Sequence, residues 1–268
     1  MKKIYLDMNV FSELIHSDRP LNNFIFNLIN KFKSNNYQFL YSPAHIEEVA
    51  LILSSEKDII KAKEYIDNIL LNISKITDNY ECLPTFEEIV IRQEDPKVCY
   101  KRVIDGYVLT SMAEINEKFG VSQKRQNVDN ILVNYSLNRA QVGNVKPNEL
   151  FNHNIISRIY QDFVKIHSLK IEKWSLIKDS HKEIEETVSN LFDFLEMIGY
   201  KSSGEKEYRS MMHDVTHSIY ATKADIFITN DKKFKARVES IYSYLKIPTK
   251  LYLLRDLKEN EELLEGLV

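Results

Sequence analysis

The sequence predicts an α/β protein: a parallel sheet with flanking helices, interrupted by an α-helical insertion. Short apolar strand patterns alternate with helical patterns at both ends of the chain, which is typical of a parallel sheet. The alternation stops between residues 91 and 205, where only helical patterns occur. The 268 residues include six Gly and six Pro, well below average shares of about 7% and 5%, so helices are favoured.

The first strand is predicted at Ile4–Leu6, a short apolar run that ends at Asp7. A helix is expected to begin at Asn9. The second strand is Tyr37–Tyr41, and Ser42-Pro43 then predicts a helix start, with Ser as the N-cap and Pro at the first helical position. These elements form the first strand–helix–strand–helix unit.

A helix with apolar residues at helical spacing follows at Glu56–Leu71. Glu81–Leu83 is a weak third strand, and Thr85–Glu88 has the spacing of a capping box, which predicts a further helix. The insertion then contains four helical patterns: Val103–Phe119, Asn127–Ala140, Asn148–Leu169 and Ile184–Ile198.

The alternation returns in the last quarter of the chain. It predicts a helix at Lys206–Lys223, a strand at Ile226–Thr229, a helix at Phe234–Leu245 and a strand at Lys250–Leu254. We therefore predict one α/β domain formed by residues 1–90 and 206–268, with residues 91–205 as the helical insertion.

Composition excludes several kinds of protein. No two glycines are two residues apart, so the chain has no G-x-G-x-x-G dinucleotide loop, and it has no G-x-S-x-G nucleophile elbow. The net charge of −3 provides no global basic field for nucleic acid. Two cysteines form no disulfide framework. Without a signal-peptide pattern or an apolar run of about 18 residues, the expected location is the cytoplasm, with no membrane partner.

Four carboxylates occupy positions that a parallel sheet brings to one edge. Asp7 and Asp231 follow two predicted strands, while Glu48 and Asp214 lie on neighbouring helices. Ligands bind at the carboxyl ends of parallel strands. Clustered carboxylates repel one another unless a counter-charge is present, and Mg²⁺ or Mn²⁺ prefers oxygen ligands. Such a site can activate water for attack at phosphorus.

The residues at this edge resemble those of PIN-domain nucleases. The resemblance covers roughly residues 1–90 and 206–265; the middle of the chain departs from the family, whose compact members have a much shorter segment there. It rests on four fragments: residues 4–11 (IYLDMNVF), Ser42-Pro43 with Glu48, residues 214–221 (DVTHSIYA) and residues 226–234 (IFITNDKKF).

The resemblance implies a metal-dependent endoribonuclease on a Rossmann-like parallel sheet ordered 3-2-1-4-5. The implied catalytic and metal-binding residues are Asp7, Glu48, Asp214 and Asp231, with Mg²⁺ or Mn²⁺ as cofactor. Polar groups beside them are Asn9, Thr229, Asn230 and His217, the last a candidate for contact with substrate phosphate. The implied partners are an RNA substrate and, if the chain is the toxin of a toxin–antitoxin pair, an antitoxin protein; a homodimer stays open.

Several alternatives remain at this point. Glu47 competes with Glu48, since neighbours on a helix point about 100° apart. Four basic residues follow Asp231: Lys232, Lys233, Lys235 and Arg237. They are candidates for contacts with the RNA backbone, or they are simply the solvated start of a helix.

Other classes of protein also fit parts of the pattern. His213-Asp214 suggests an HD-type phosphohydrolase, but that all-helical fold leaves Asp7 unexplained. A haloacid-dehalogenase-like phosphatase needs an Asp where Asn9 stands. A non-catalytic RNA- or protein-binding module on the same fold is the main alternative to a nuclease.

Overall fold

The computed structural model describes residues 1–15, 19–55, 58–106, 121–202 and 208–267. The chain divides into two compact units. The first unit comprises Met1–Val108, Tyr220–Lys232 and Thr249–Val268, and the second comprises Leu109–Ile219 and Lys233–Pro248. The chain therefore passes between the units four times.

A four-stranded parallel sheet forms the centre of the first unit. Its strands, in spatial order, are β2 (Tyr37–Leu40), β1 (Lys2–Leu6), β5 (Ile226–Thr229) and β6 (Lys250–Leu253). The register places Ile4 between Phe39 and Ile226. The predicted α/β class with a parallel sheet is thereby confirmed.

The predicted five-stranded order 3-2-1-4-5 is wrong at its third strand. That segment, β3 (Tyr80–Pro84), pairs antiparallel with β4 (Ile89–Gln93), which the sequence had not predicted. A single parallel bridge between Tyr41 and Glu81 connects this hairpin to the chain after β2.

The four residues Thr85–Glu88 connect the hairpin strands rather than beginning a helix. Thr85 N–H donates to the Glu88 carbonyl at 2.8 Å, and Glu88 N–H donates to Thr85 Oγ1 at 2.9 Å. A Thr three residues before a Glu fits this turn as well as a capping box. The β-branched run that begins at Ile89 favours a strand over a helix.

Helices account for most of the remaining described residues. In chain order they are α1 (Met8–Ile15), α2 (Asn22–Ser34), α3 (Pro43–Ala50), α4 (Ile52–Ser55), α5 (Ile59–Thr77), α6 (Pro96–Gly106), α7 (Val121–Asn134), α8 (Arg139–Asn144), α9 (Asn154–Ile166), α10 (Trp174–Ile177), α11 (His181–Met197), α12 (Tyr208–Ala221), α13 (Lys232–Leu245), α14 (Leu254–Glu259) and α15 (Glu261–Glu265), with a 3₁₀ helix at Pro147–Asn152. Most of the predicted helix Val103–Phe119 lies outside the described residues. None of the described helices is both long and apolar enough to cross a membrane.

Two helix boundaries show why these residues form helices. Ser42 is the extended N-cap of α3 and Pro43 is its first residue, as the sequence predicts. In the second unit, α11 ends at Met197, and Gly199, two residues later, has a left-handed φ of 66°. A Cβ there would approach Val128 Cγ1 to 3.1 Å, so this glycine permits both the reversal and the close packing.

The apolar core of the first unit holds the sheet in place. Ile4 and Leu6 of β1 and Ile226 and Ile228 of β5 are almost fully buried, in one cluster with residues of α1, α2 and α5 such as Phe11. Strands buried in this way read as continuous apolar runs. The strand ends therefore form a rigid base for the polar residues that follow them.

Candidate metal centre

Asp7 lies directly after β1, with its backbone fixed on both sides. Its N–H donates to the Ile228 carbonyl at 2.9 Å, and its carbonyl accepts from Val10 N–H at 2.9 Å. The side chain is 6% exposed. One carboxylate oxygen, Oδ2, accepts hydrogen bonds from Asn9 Nδ2 and Thr229 Oγ1. Both bonds stabilise an ionised carboxylate in a single orientation.

Asn9 and Thr229 connect the ends of β1 and β5. Asn9 Nδ2 also donates to Thr229 Oγ1 at 3.2 Å, and Asn9 Oδ1 accepts from Asn230 N–H at 2.9 Å. Thr229 Oγ1 further accepts from Asp231 N–H at 3.0 Å. The Thr229 hydroxyl thus uses its one donor and two acceptor positions. Because Asn230 N–H requires an acceptor, the amide orientation of Asn9 is determined as well.

Glu48 brings a second carboxylate to Asp7. It is half-buried on α3, and one of its oxygens lies within 4.8 Å of an Asp7 carboxylate oxygen. Two ionised carboxylates at that separation repel each other by about 3 kcal/mol at an effective dielectric constant near 20. A shared proton or a cation would relieve this repulsion.

His45 positions the helix that carries Glu48, and it was not among the site residues predicted from the sequence. Its ring is fully buried: Nε2 lies 2.7 Å from the Leu6 carbonyl, and Nδ1 accepts from Ser42 N–H at 3.0 Å. These fixed partners require the neutral tautomer with the proton on Nε2. The ring therefore connects the end of β1, one residue before Asp7, to the N-terminus of α3. The three-residue spacing from Ser42, that of a capping box, was the available signal.

Tyr5 extends the buried network around His45. Its hydroxyl lies 2.7 Å from Ser42 Oγ and 3.5 Å from His45 Nδ1. Burial raises the pKa of the Tyr5 hydroxyl well above its ordinary value, so the group stays neutral. A neutral network here adds no charge to the pair formed by Asp7 and Glu48.

The oxygen donors at this strand end fit a hard divalent cation. Asp7 and Glu48 offer carboxylate oxygens, the ligand type that Mg²⁺ and Mn²⁺ prefer. Asn230 Oδ1, at the end of β5, is buried and has no hydrogen-bond partner among the described residues. Asp231 is exposed, and its backbone N–H donates to Thr229 Oγ1.

Asp214 and His217 lie on α12, in the part of that helix that belongs to the second unit. Asp214 is half-buried, and His217 is 1% exposed. Their participation in a site with Asp7 stays a prediction of the sequence.

The predicted basic run after Asp231 is only partly exposed. Lys232 and Lys233 are exposed. Lys235 pairs with Glu239 at 2.8 Å within α13. The expectation that all four cations face RNA therefore does not hold.

Arg237 is the clearest correction to that prediction. It is 1% exposed, its Nη2 lies 2.8 Å from Glu196 Oε1, and its guanidinium carbon lies 4.8 Å from the centre of the Phe192 ring. The contact with Glu196 has the distance of an ion pair without the angles of a hydrogen bond. A guanidinium buried in this way is not available to a nucleic-acid backbone.

A second acidic group in the first unit has a structural explanation. Glu81, Glu94 and Cys99 lie close enough to share an ion, but Arg92 and Arg102 each pair with both glutamates. These four charges form a closed ring that already compensates the fully buried Glu81. Burial raises the pKa of the Cys99 thiol, which keeps it protonated and a poor metal ligand.

No family model, curated protein or solved structure matches this chain.

Proposed function

We propose that the protein is a metal-dependent nuclease that hydrolyses phosphodiester bonds of RNA. Asp7 and Glu48 form the core of its Mg²⁺ or Mn²⁺ site, and Asp231 follows the neighbouring strand at the same edge. That Asp214 belongs to the site remains a prediction of the sequence. The observation that carries the proposal is the close approach of the Asp7 and Glu48 carboxylates at the carboxyl edge of a parallel sheet. Such edges are where α/β proteins bind ligands.

The protein groups have distinct tasks in this proposal. Asn9 and Thr229 hold one Asp7 oxygen and so determine the direction in which the carboxylate binds. His45 holds α3, and with it Glu48, against the end of β1. A divalent cation bound by these carboxylates would supply a Lewis acid for attack at phosphorus.

The choice of RNA as substrate rests on the sequence fragments and on the exposed lysine that directly follows Asp231. Lys232 is exposed directly after Asp231, at the end of β5. A lysine beside a metal site can contact a substrate phosphate without reading the base. A role as the toxin of a toxin–antitoxin pair, with an antitoxin protein as partner, remains a prediction.

Cleavage of a labelled single-stranded RNA with Mn²⁺ tests the proposal. Wild type should cut, while EDTA, Asp7→Asn and Asp214→Asn should each abolish cutting in a protein that still folds. Glu47→Gln is the matched control and should cut at the wild-type rate. Full activity of Asp7→Asn would refute the proposed metal site. RNA binding without cleavage by wild type would favour the non-catalytic module instead.

A further inference from the structure

A groove in the second unit has the size of a small-ligand site. Its volume is about 420 Å³, and it is lined by residues 171–175 and 244–246. Ligand pockets in proteins typically measure about 300–1,000 Å³. The groove lies between the segment that begins α10 and the C-terminal end of α13.

Two aromatic side chains line this groove. Tyr244 is 37% exposed, yet its ring stacks on Phe151 with centroids 4.4 Å apart and lies edge-on to Tyr160 at 5.4 Å. Trp174 is half-buried at the start of α10. The Tyr244 ring is therefore partly accessible but held rigidly by its aromatic neighbours, which lowers the entropic cost of binding against it.

The charges around the groove are positive on balance. Lys173 and Lys246 line it and are exposed. The one acidic residue of the lining, Glu172, pairs with Lys170 at 2.6 Å. Two lysines beside two partly accessible aromatic rings therefore suit a ligand with a flat ring and negative charge.

Lys246 also has an unusual backbone. Its φ is 63°, a left-handed conformation that glycine normally occupies after a helix and that costs other residues about 1 kcal/mol or more. The strain places a lysine side chain at the rim of the groove where glycine would provide none.

We propose that this groove binds an unpaired nucleotide of a single-stranded nucleic acid, with the base against Trp174 and Tyr244 and its phosphates near Lys173 and Lys246. Aromatic stacking of unpaired bases combined with phosphate contacts is the general mode of single-strand binding. The choice of RNA as the ligand rests on the proposed nuclease function, in which this groove would hold the substrate. Binding itself requires neither metal nor cleavage.

The single tryptophan makes the test specific. Because Trp174 is the only Trp in the chain, its fluorescence reports on this groove alone. Oligouridylate of about ten nucleotides is titrated into full-length protein in EDTA, so that no metal-dependent cutting occurs. We expect saturable quenching that weakens as salt rises, because phosphate contacts release counterions.

Variants then separate the groove from general charge effects. The double variant Lys173→Glu/Lys246→Glu should weaken binding ten-fold or more, and Tyr244→Leu should weaken it five-fold or more. The double variant Lys165→Glu/Lys182→Glu is the matched control: these lysines are exposed in the same unit and do not line the groove. It should change the affinity less than two-fold, and circular dichroism checks that every variant folds.

The outcomes distinguish this inference from the nuclease proposal. Quenching that depends on the groove lysines, in a protein that cuts no RNA with Mn²⁺, supports the groove and refutes the nuclease. Mn²⁺-dependent cutting with no change in Trp174 fluorescence, or with equal affinity in the double variant, refutes the groove. Quenching by uridine alone that matches the oligonucleotide in affinity would also overturn the role of the phosphates.

Discussion

The pair formed by Asp7 and Glu48 makes a quantitative prediction about Glu48→Gln. In the absence of metal, two carboxylates within 4.8 Å repel by about 1 to 3 kcal/mol across the range of dielectric constants that suits a half-buried pair. Glutamine keeps the shape of the side chain and removes one charge. Metal-free Glu48→Gln should therefore be more stable than metal-free wild type by about that amount.

The same substitution should abolish stabilisation by metal. A cation at 100 times its dissociation constant stabilises a folded protein by about 2.7 kcal/mol. That corresponds to a rise in Tm of roughly 5–10 °C at this chain length. Wild type should show this rise with Mn²⁺, and Glu48→Gln should show little of it. Glu48→Gln should thus raise the stability of the metal-free protein and remove the stabilisation that metal provides.

Thermal unfolding followed by circular dichroism, with EDTA or Mn²⁺, measures both effects. Glu47→Gln is the control, because it removes the same charge one residue earlier on α3, about 100° around the helix. It should behave as wild type in both conditions. A Glu48→Gln protein that is less stable without metal and keeps the full Mn²⁺ shift would refute the reasoning.

Three further predictions concern buried groups. His45→Phe leaves a buried carbonyl and a buried N–H without their partner, so urea unfolding should show a loss of about 2–4 kcal/mol, with weaker Mn²⁺ binding as well. Burial raises the pKa of the Cys82 thiol to about 12, against 9.0 ordinarily, and it raises the pKa of the Cys99 thiol as well. Above pH 9 the thiols ionise first in the unfolded chain, so the free energy of unfolding should fall as the pH rises from about 9 to 12. The double variant Cys82→Ala/Cys99→Ala should reduce this dependence of stability on pH. Arg237→Leu leaves Glu196 without its cation and should cost about 3 kcal/mol in urea, with unchanged RNA affinity in a filter-binding assay.

The sequence was sufficient for elements whose local pattern has one interpretation. The apolar runs at Ile4 and Ile226 lie in neighbouring strands, and Ser42-Pro43 begins α3. Thr85–Glu88 has two interpretations, a capping box or a hairpin turn. Pairing of β3 with residues 89–93 selects the hairpin turn, and that pairing cannot be recognised from the four turn residues alone.

The candidate site also has contacts that the sequence predicts and contacts that it does not. Asp7, Asn9 and Thr229 meet because two parallel strands end side by side, a consequence that strand order alone predicts. Glu48 approaches Asp7 because His45 orients α3, and that contact crosses 39 residues of chain. Arg237 was misinterpreted because its partner Glu196 lies 41 residues away, outside any pattern of neighbouring charges.

Binding of Mn²⁺ to the metal-free protein, followed by the electron paramagnetic resonance signal of free Mn²⁺, tests the central claim most directly. We predict a saturable site in wild type and in Glu47→Gln, with affinity reduced at least ten-fold by Asp7→Asn and by Glu48→Gln. Equal Mn²⁺ affinity in all four proteins, or no binding by folded wild type, would contradict the assignment of these carboxylates as the metal centre.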